Sequence, residues 1–341
     1  MTERFLELLK ALIAIPAPPG QEEELTAYLK GLLTDTPHVV DPRGNLLVGD
    51  WERPKLVVTA HMDEIALMVS DASEDFWVRL APMGGLMPWK WGEQPIEILT
   101  SKGAVPAWIS FGSIHTTDPS SPVQQARTGP LTWALGRAFT GLSAQEMSRQ
   151  GVRTGSRAVL ARTRREASEI GPYIGSYFID DRALVALLLF AIERFDPLPP
   201  GVCFAATTAE EGGAEGAAYL MNKLLPDRCI ALEISPSTPE TTFVPDPVPT
   251  IWAKDGHSAP PARDMFWIEK AAERAGCHLR WQFLSRAGSD ASIAQELGST
   301  ASGVTIGIPV ESSHGFEFMH KDAPEELLKL LVAMIETLPA D

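Results

Sequence analysis

Three observations predict an α/β fold with a mostly parallel sheet and helices on both faces. Apolar segments of strand length alternate with segments of helical periodicity along most of the chain. The strand-like segments are near-continuous apolar runs, as expected where both faces of a parallel sheet are covered. From residue 71 to about 165 the alternation gives way to short strand-like pieces punctuated by Gly and Pro, which reads as a small inserted β-rich module. The division is therefore 1–70 and 166–341 for the α/β domain and 71–165 for the insertion.

In chain order, 4-RFLELLKALIAI-15 has helical periodicity and stops at Pro16, and 21-QEEELTAYLKGLL-33 repeats the pattern. The run 55-KLVVTAHMDEIALMV-69 is mostly apolar and β-branched and predicts one strand. Inside the insertion, 76-FWVRL-80, 94-QPIEILTS-101, 105-VPAWISF-111 and 157-RAVLAR-162 read as strands. A short helix there is capped by Ser143-x-x-Glu146 and ended by Gly151. The polar, Pro-containing stretch 116-TTDPSSPVQQARTGP-130 reads as a mobile loop. Beyond the insertion come a helix over 182–195, a strand 202-VCFAATT-208, a helix near 215–225 and a strand 229-CIALEIS-235. A helix near 264–276, a strand 303-GVTIGIP-309 and a last helix complete the pattern. That last helix opens on Asp322-x-x-Glu325 and runs to about Leu338.

Composition narrows the function. The 341 residues are 45% hydrophobic, enough for a large core, and the net charge is −15. Such a surface repels phosphates and anionic lipid, which argues against nucleic-acid and membrane partners. The longest apolar run, 183-ALVALLLFAI-192, is too short to span a bilayer. Cys203, Cys229 and Cys277 are odd in number, form no CxxC and sit in apolar context. They read as reduced thiols, and with no cleavable signal at the N-terminus the expected location is the cytoplasm.

The chemistry gathers where strands end. His61 and Asp63 close one strand and stand two apart, so they face the same way and Asp63 could hold the His61 ring. Asp180-Asp181-Arg182 opens a long apolar helix, where a carboxylate alone reads as a cap. Glu210-Glu211 end another strand, followed by a Gly212-Gly213 turn. Glu233 ends the next, and His314 lies just beyond the last. The carboxyl ends of parallel strands form the crevice where such sheets bind ligands. Two His and three or four carboxylates match a site for two divalent metals. One further carboxylate is needed to move a proton, so of the adjacent glutamates one binds metal and its neighbour is the base. The Gly-rich 212–216 turn lacks a GxGxxG order, and no GxSxG or P-loop occurs. A glycosidase pair of carboxylates cannot be assigned without using the metal ligands.

The segments 16-PAPPGQEEE-24, 44-GNLLVG-49, 60-AHMDEIALMV-69, 84-GG-85, 142-LSAQEMSRQGVRTG-155, 179-IDDR-182, 209-AEEGGAEGA-217, 288-GSDAS-292 and His314 carry a resemblance through most of the chain. In order and spacing they resemble the TET-type family of dinuclear metallo-aminopeptidases, which includes glutamyl and deblocking aminopeptidases and members once labelled cellulases. The resemblance implies a zinc-peptidase-like α/β domain with an inserted β-barrel or PDZ-like module that builds a homo-oligomer, often a hollow dodecamer. It implies two zinc or cobalt ions and cleavage of short peptides from the N-terminus. It implies that His61 and Glu233 hold one metal, that Asp180 bridges, and that Glu211 and His314 hold the other. Asp63 would orient His61, and Glu210 would be the general base and acid for a bridging water. Glu233 stands where the family usually has Asp, and Glu311-Ser312 where it has Arg-Tyr. The competing expectations are a deacylase or carboxypeptidase on the same bimetal scaffold, and a non-catalytic assembly or binding homologue.

Overall fold

The computed structural model describes residues 2–339; the outermost positions of the two terminal segments predicted above, Met1, Ala340 and Asp341, lie outside the described residues. The chain divides into two compact units. One holds the residues up to Glu64, Ala167–Ser313 and Glu317 onward, and the other holds Ile65–Glu166 with His314–Phe316.

The first unit is built on an 11-stranded sheet. Its centre runs Val202–Thr207, Leu56–His61, Arg228–Pro236, Ser302–Glu311, all mutually parallel. Antiparallel strands flank this centre: Leu46–Gly49 on Val202–Thr207, and Phe316–His320 and Thr250–Lys254 on Ser302–Glu311. The four parallel strands are buried along almost their whole length. Their continuous Val, Ile, Leu and Ala content is thereby explained, because neither face meets water. The helix Ile179–Arg194 is buried at nearly every position and packs against Thr2–Ala14, Ala323–Glu336 and the central strands. A helix apolar all round has to sit between layers.

The second unit is a closed barrel of six antiparallel strands, in the order Ala66–Asp71, Trp77–Met83, Arg137–Phe139, Gly103–Ser110, Pro95–Thr100, Arg157–Leu160. Closure leaves no free edge for strand addition. Strands such as Gly103–Ser110 alternate buried and exposed residues, as a barrel with one wet face requires.

Several expectations need correction. The single strand over 55–69 is two strands, Leu56–His61 and Ala66–Asp71, one in each unit. Between them the chain leaves the sheet: Met62 N–H still donates to Thr207, but Glu64 N–H donates to Ala17. Asp63 and Glu64 between them are buried as the strands are, so no exposed loop marks the passage from one to the other. The stretch 116–130 is not all loop, for Ser121 caps a helix at Pro122–Thr128. The capping box at Ser143 and Glu146 forms. The one expected at Asp322 does not: the helix Ala323–Glu336 starts there without a side-chain cap.

Candidate metal centre

One strand end, the turn after a second strand, the interior of a third and one helix start present the imidazole and acidic groups; Glu233 does not end its strand, which runs on to Pro236. His61 is the last residue of its strand, in register with Thr207 on the neighbouring strand. Glu210 and Glu211 follow Thr207 by a turn that begins at Ala209, whose backbone is left-handed at φ 52°. Gly216 lets this turn close, since a Cβ there would stand 2.2 Å from the Thr208 carbonyl oxygen. Glu233 lies on the next strand, opposite Gly307. Phe178, also left-handed, swings the chain into the long helix. Asp180 and Asp181 have non-helical backbone, so regular helix begins only after them. They serve as more than caps.

His61, Asp180, Asp181 and Glu233 are all buried, and each offers one ligand atom within 4.8 Å of the others. Glu211, in the same unit, offers a ligand atom within 4.8 Å of one from Asp180. His61 Nε2 is 3.1 Å from Asp180 Oδ1 and 3.9 Å from Glu233 Oε1. Its Nδ1 lies 3.2 Å from the Asp63 carbonyl oxygen. That contact fixes the ring with Nε2 toward the carboxylates.

The Asp63 carboxylate, expected to orient the ring, is 3.4 Å from Nδ1, farther than the Asp63 backbone carbonyl. The Asp63 carboxylate instead accepts from Glu210 N–H at 2.9 Å and Glu211 N–H at 3.0 Å. Other carboxylates do the same for other segments. Asp181 Oδ2 accepts from His61 N–H at 3.0 Å. Glu317 Oε2 accepts from Asp180 N–H at 3.0 Å. Glu22 Oε1 accepts from Ala209 N–H at 3.0 Å. Glu233 turns one oxygen back on its own strand, accepting from Ile234 N–H at 3.1 Å.

The charges do not balance. Burial, followed by repulsion from neighbouring carboxylates, holds Asp181, Glu210, Glu211 and Glu233 well above the usual carboxylate range. Burial also pushes Asp290 up, against the Thr207 hydroxyl that donates to it. Burial alone would lower His61, yet Asp181, Asp180 and Asp63 together raise it well above its usual value. Asp181 Oδ1 is buried with no hydrogen-bond partner. A cluster of this kind needs positive charge, and its imidazole and carboxylate donors are those of a divalent cation site. The residues present therefore fit such an ion.

Of the seven residues selected from the sequence, His61, Asp180 and Glu233 fall in the buried group and Glu211 lies next to Asp180, while His314 belongs to the second unit. Glu210 and Asp63 are backbone neighbours of these ligands without being in the group. Sequence reasoning missed Asp181, Glu317, Glu22, and the pair Glu64 and Arg182. Asp181 was legible as an acid next to Asp180. Glu64 and Arg182 were legible as charges inside apolar runs, which need partners when buried. Glu317, in the alternating 316-FEF-318, carries no signal.

The sequence pattern of M42 glutamyl aminopeptidases matches residues 44–330. The chain belongs to this family. A glutamyl aminopeptidase of Lactococcus lactis is 25% identical over 331 residues, 92% of this chain and 90% of its own length. A lysyl aminopeptidase of Pyrococcus furiosus is 26% identical over 235 residues, 67% of this chain and 66% of its own length. Among solved structures, a TET aminopeptidase from a marine sediment archaeon of the Thaumarchaeota superposes with a TM-score of 0.87 at 24% identity, covering 98% of this chain and 97% of that one. The Pyrococcus horikoshii TET1 peptidase, which can assemble into a tetrahedron or a large octahedral shell, gives 0.84 at 25%, covering 97% and 99%. This M42 chain is thus a metal-dependent peptidase of the TET aminopeptidase fold. No helix among its described residues is long and apolar enough to cross a membrane.

Proposed function

We propose that this protein is an aminopeptidase that releases N-terminal residues from short peptides with two divalent cations, zinc or cobalt. The observation that carries the reading is that Asp180 offers ligand atoms within 4.8 Å of those of His61, Asp181 and Glu233 and also of one from Glu211, as a carboxylate shared between two ions would. His61 and Glu233, with Asp181 beside them, would hold one ion, and Glu211 and His314 the other. Bound there, such ions supply Lewis-acid polarisation of the scissile carbonyl and a water of lowered pKa.

Glu210 is the general base and acid. It is half-buried, lies in neither cation group, and is fixed through its backbone by Asp63. It takes a proton from the attacking water and returns it to the leaving amine as the C–N bond breaks. Its raised pKa, set first by burial, suits a group that must both accept and give up a proton. The surrounding carboxylates attract the substrate's N-terminal ammonium, which favours cleavage from that end. By likeness to the assembling TET peptidase we also propose a homo-oligomer, a dodecamer among the options. We also propose a cytoplasmic location, a reading that its three cysteines, none of them in a disulfide, support.

The test is Glu210→Gln in a protein assayed for metal content and for hydrolysis of aminoacyl anilides with free and acetylated N-termini. Retained metal with turnover lost by 10²-fold or more supports the assignment, and near wild-type turnover overturns it. Cleavage confined to acetylated substrates would replace the aminopeptidase by a deacylase.

A further inference from the structure

Glu64 and Arg182 form an ion pair with both side chains at 0% exposure, Nη2 to Oε2 at 2.7 Å. Arg182 follows Asp180-Asp181 directly, and Glu64 follows Asp63 directly. The pair therefore ties the segment that carries His61 and Asp63 to the segment that carries the two aspartates. A third segment is drawn in. Arg182 Nη2 also donates to the Ile15 carbonyl at 3.3 Å, and Glu64 N–H donates to the Ala17 carbonyl at 3.0 Å. The stretch after the first helix, 15-IPAPPGQE-22, thus lies against both. It reaches the glutamate turn as well, through Glu22 on Ala209 N–H.

We propose that Glu64 and Arg182 are positioning residues, a buried brace that sets the spacing between His61 and Asp180-Asp181 and thereby the affinity of the first cation group. The inference rests on the reading that these residues hold a divalent ion. A purely structural reason for the pair is weak. Buried ion pairs recover little net energy, and apolar replacement of both partners is often neutral for stability. What the pair supplies is direction: a guanidinium that donates to a carboxylate and a carbonyl at once fixes where the helix start lies relative to the strand end. Partners of this kind, one step behind the ligands, typically govern metal affinity or activity by about 10–100-fold.

The experiment uses the full chain stripped of metal and titrated with Co²⁺, followed by calorimetry and by the visible absorption of the bound ion, beside the thermal midpoint and the separate kcat and KM. Three variants are compared: Arg182→Leu, the double Glu64→Leu with Arg182→Leu, and Arg182→Lys. Arg182→Leu should lower the midpoint, because it strands a buried carboxylate. The double variant should regain the midpoint yet bind the tighter Co²⁺ at least tenfold more weakly, with kcat reduced and KM little changed. A double variant with the wild-type midpoint and Co²⁺ affinity within twofold overturns the proposal. Should the double variant not fold, Arg182→Lys decides, since it keeps the charge and loses the fork. Weaker Co²⁺ binding with an altered absorption band supports the brace, and an unchanged titration removes it. Tight Co²⁺ binding by wild type without cleavage of any peptide would sink the peptidase reading and leave the brace standing.

Discussion

The carboxylate of Asp63 accepts the backbone N–H of Glu210 at 2.9 Å with one oxygen and that of Glu211 at 3.0 Å with the other. Asp63 itself is fully buried. One side chain thus sets the height of both glutamates while its carbonyl holds the His61 ring. Asp63→Asn keeps one acceptor and turns an amide N–H toward a backbone N–H. The variant should lose about 1–3 kcal/mol of stability, the cost of a stranded buried donor. Its kcat should fall about 10–100-fold with KM nearly unchanged, because proton transfer depends on where Glu210 stands. Denaturant unfolding and steady-state kinetics on one preparation check both.

Glu22 gives a pH dependence that can be worked out in sign. Its side chain is buried, and its pKa is raised from 4.5 to about 7, by burial first and by the charge of Asp63 second. The folded protein therefore holds a proton on Glu22 that the unfolded chain has released. The stabilisation from this group is complete below pH ~4.5, declines as the pH rises, and is gone above about pH 7. The shift corresponds to roughly 3 kcal/mol between those limits. Glu22→Gln keeps an acceptor for Ala209 N–H and cannot ionise. Its urea midpoint should fall less between pH 5 and pH 7.5 than that of wild type, and the variant should be the more stable of the two at pH 7.5. Parallel slopes for the two proteins would show that Glu22 does not titrate in this range.

The parallel sheet was legible because its strands are apolar on both faces and carry His or Glu near their carboxyl ends, two features that a single sequence displays. His61, Glu211 and Glu233 could be picked out as chemistry at strand ends for the same reason. The division of 55–69 into two strands was hidden, because the polar residues that separate them, Asp63 and Glu64, are buried and bring none of the Gly, Pro or exposed polar residues that mark a turn. Asp181 was passed over because a capping role accounts for an acid at a helix start. Only the non-helical backbone there shows that it turns inward. Glu317 and Glu22 act on backbone N–H groups distant in sequence, and no local pattern encodes such a partner. Asp322 is the converse, a capping signal whose side chain makes no cap.

Gly85 offers a probe of His314. A Cβ at Gly85 would stand 3.0 Å from His314 Nδ1 and 3.1 Å from Cε1, closer than a ring tolerates without moving. The backbone at Gly85 is not left-handed, so alanine adds only this contact. Gly85→Ala should therefore displace the imidazole and weaken the ion that Glu211 and His314 are proposed to hold, leaving the other in place. Metal analysis after dialysis should give close to one ion per chain where wild type keeps two. Two tightly held ions in the variant would separate His314 from the second site.

Removing the metal should cost stability as well as activity. Asp180, Asp181 and Glu233 are gathered around His61, Glu211 lies next to Asp180, and these carboxylates repel one another when ionised. An ion bound to the folded chain and not to the unfolded one adds RT ln(1 + [L]/Kd), about 2.7 kcal/mol at a hundredfold excess over Kd. Chelator-treated protein should thus melt lower than untreated protein, and Co²⁺ or Zn²⁺ should restore the midpoint in a concentration-dependent way. The loss should be larger at pH 8 than at pH 5.5. Burial and mutual repulsion raise Asp181, Glu211 and Glu233 above the usual carboxylate range, so in the stripped protein protons relieve the repulsion more at the lower pH than at the higher one. A midpoint insensitive to chelation at both pH values would mean that the acidic cluster is neutralised by its own protons and holds no ion.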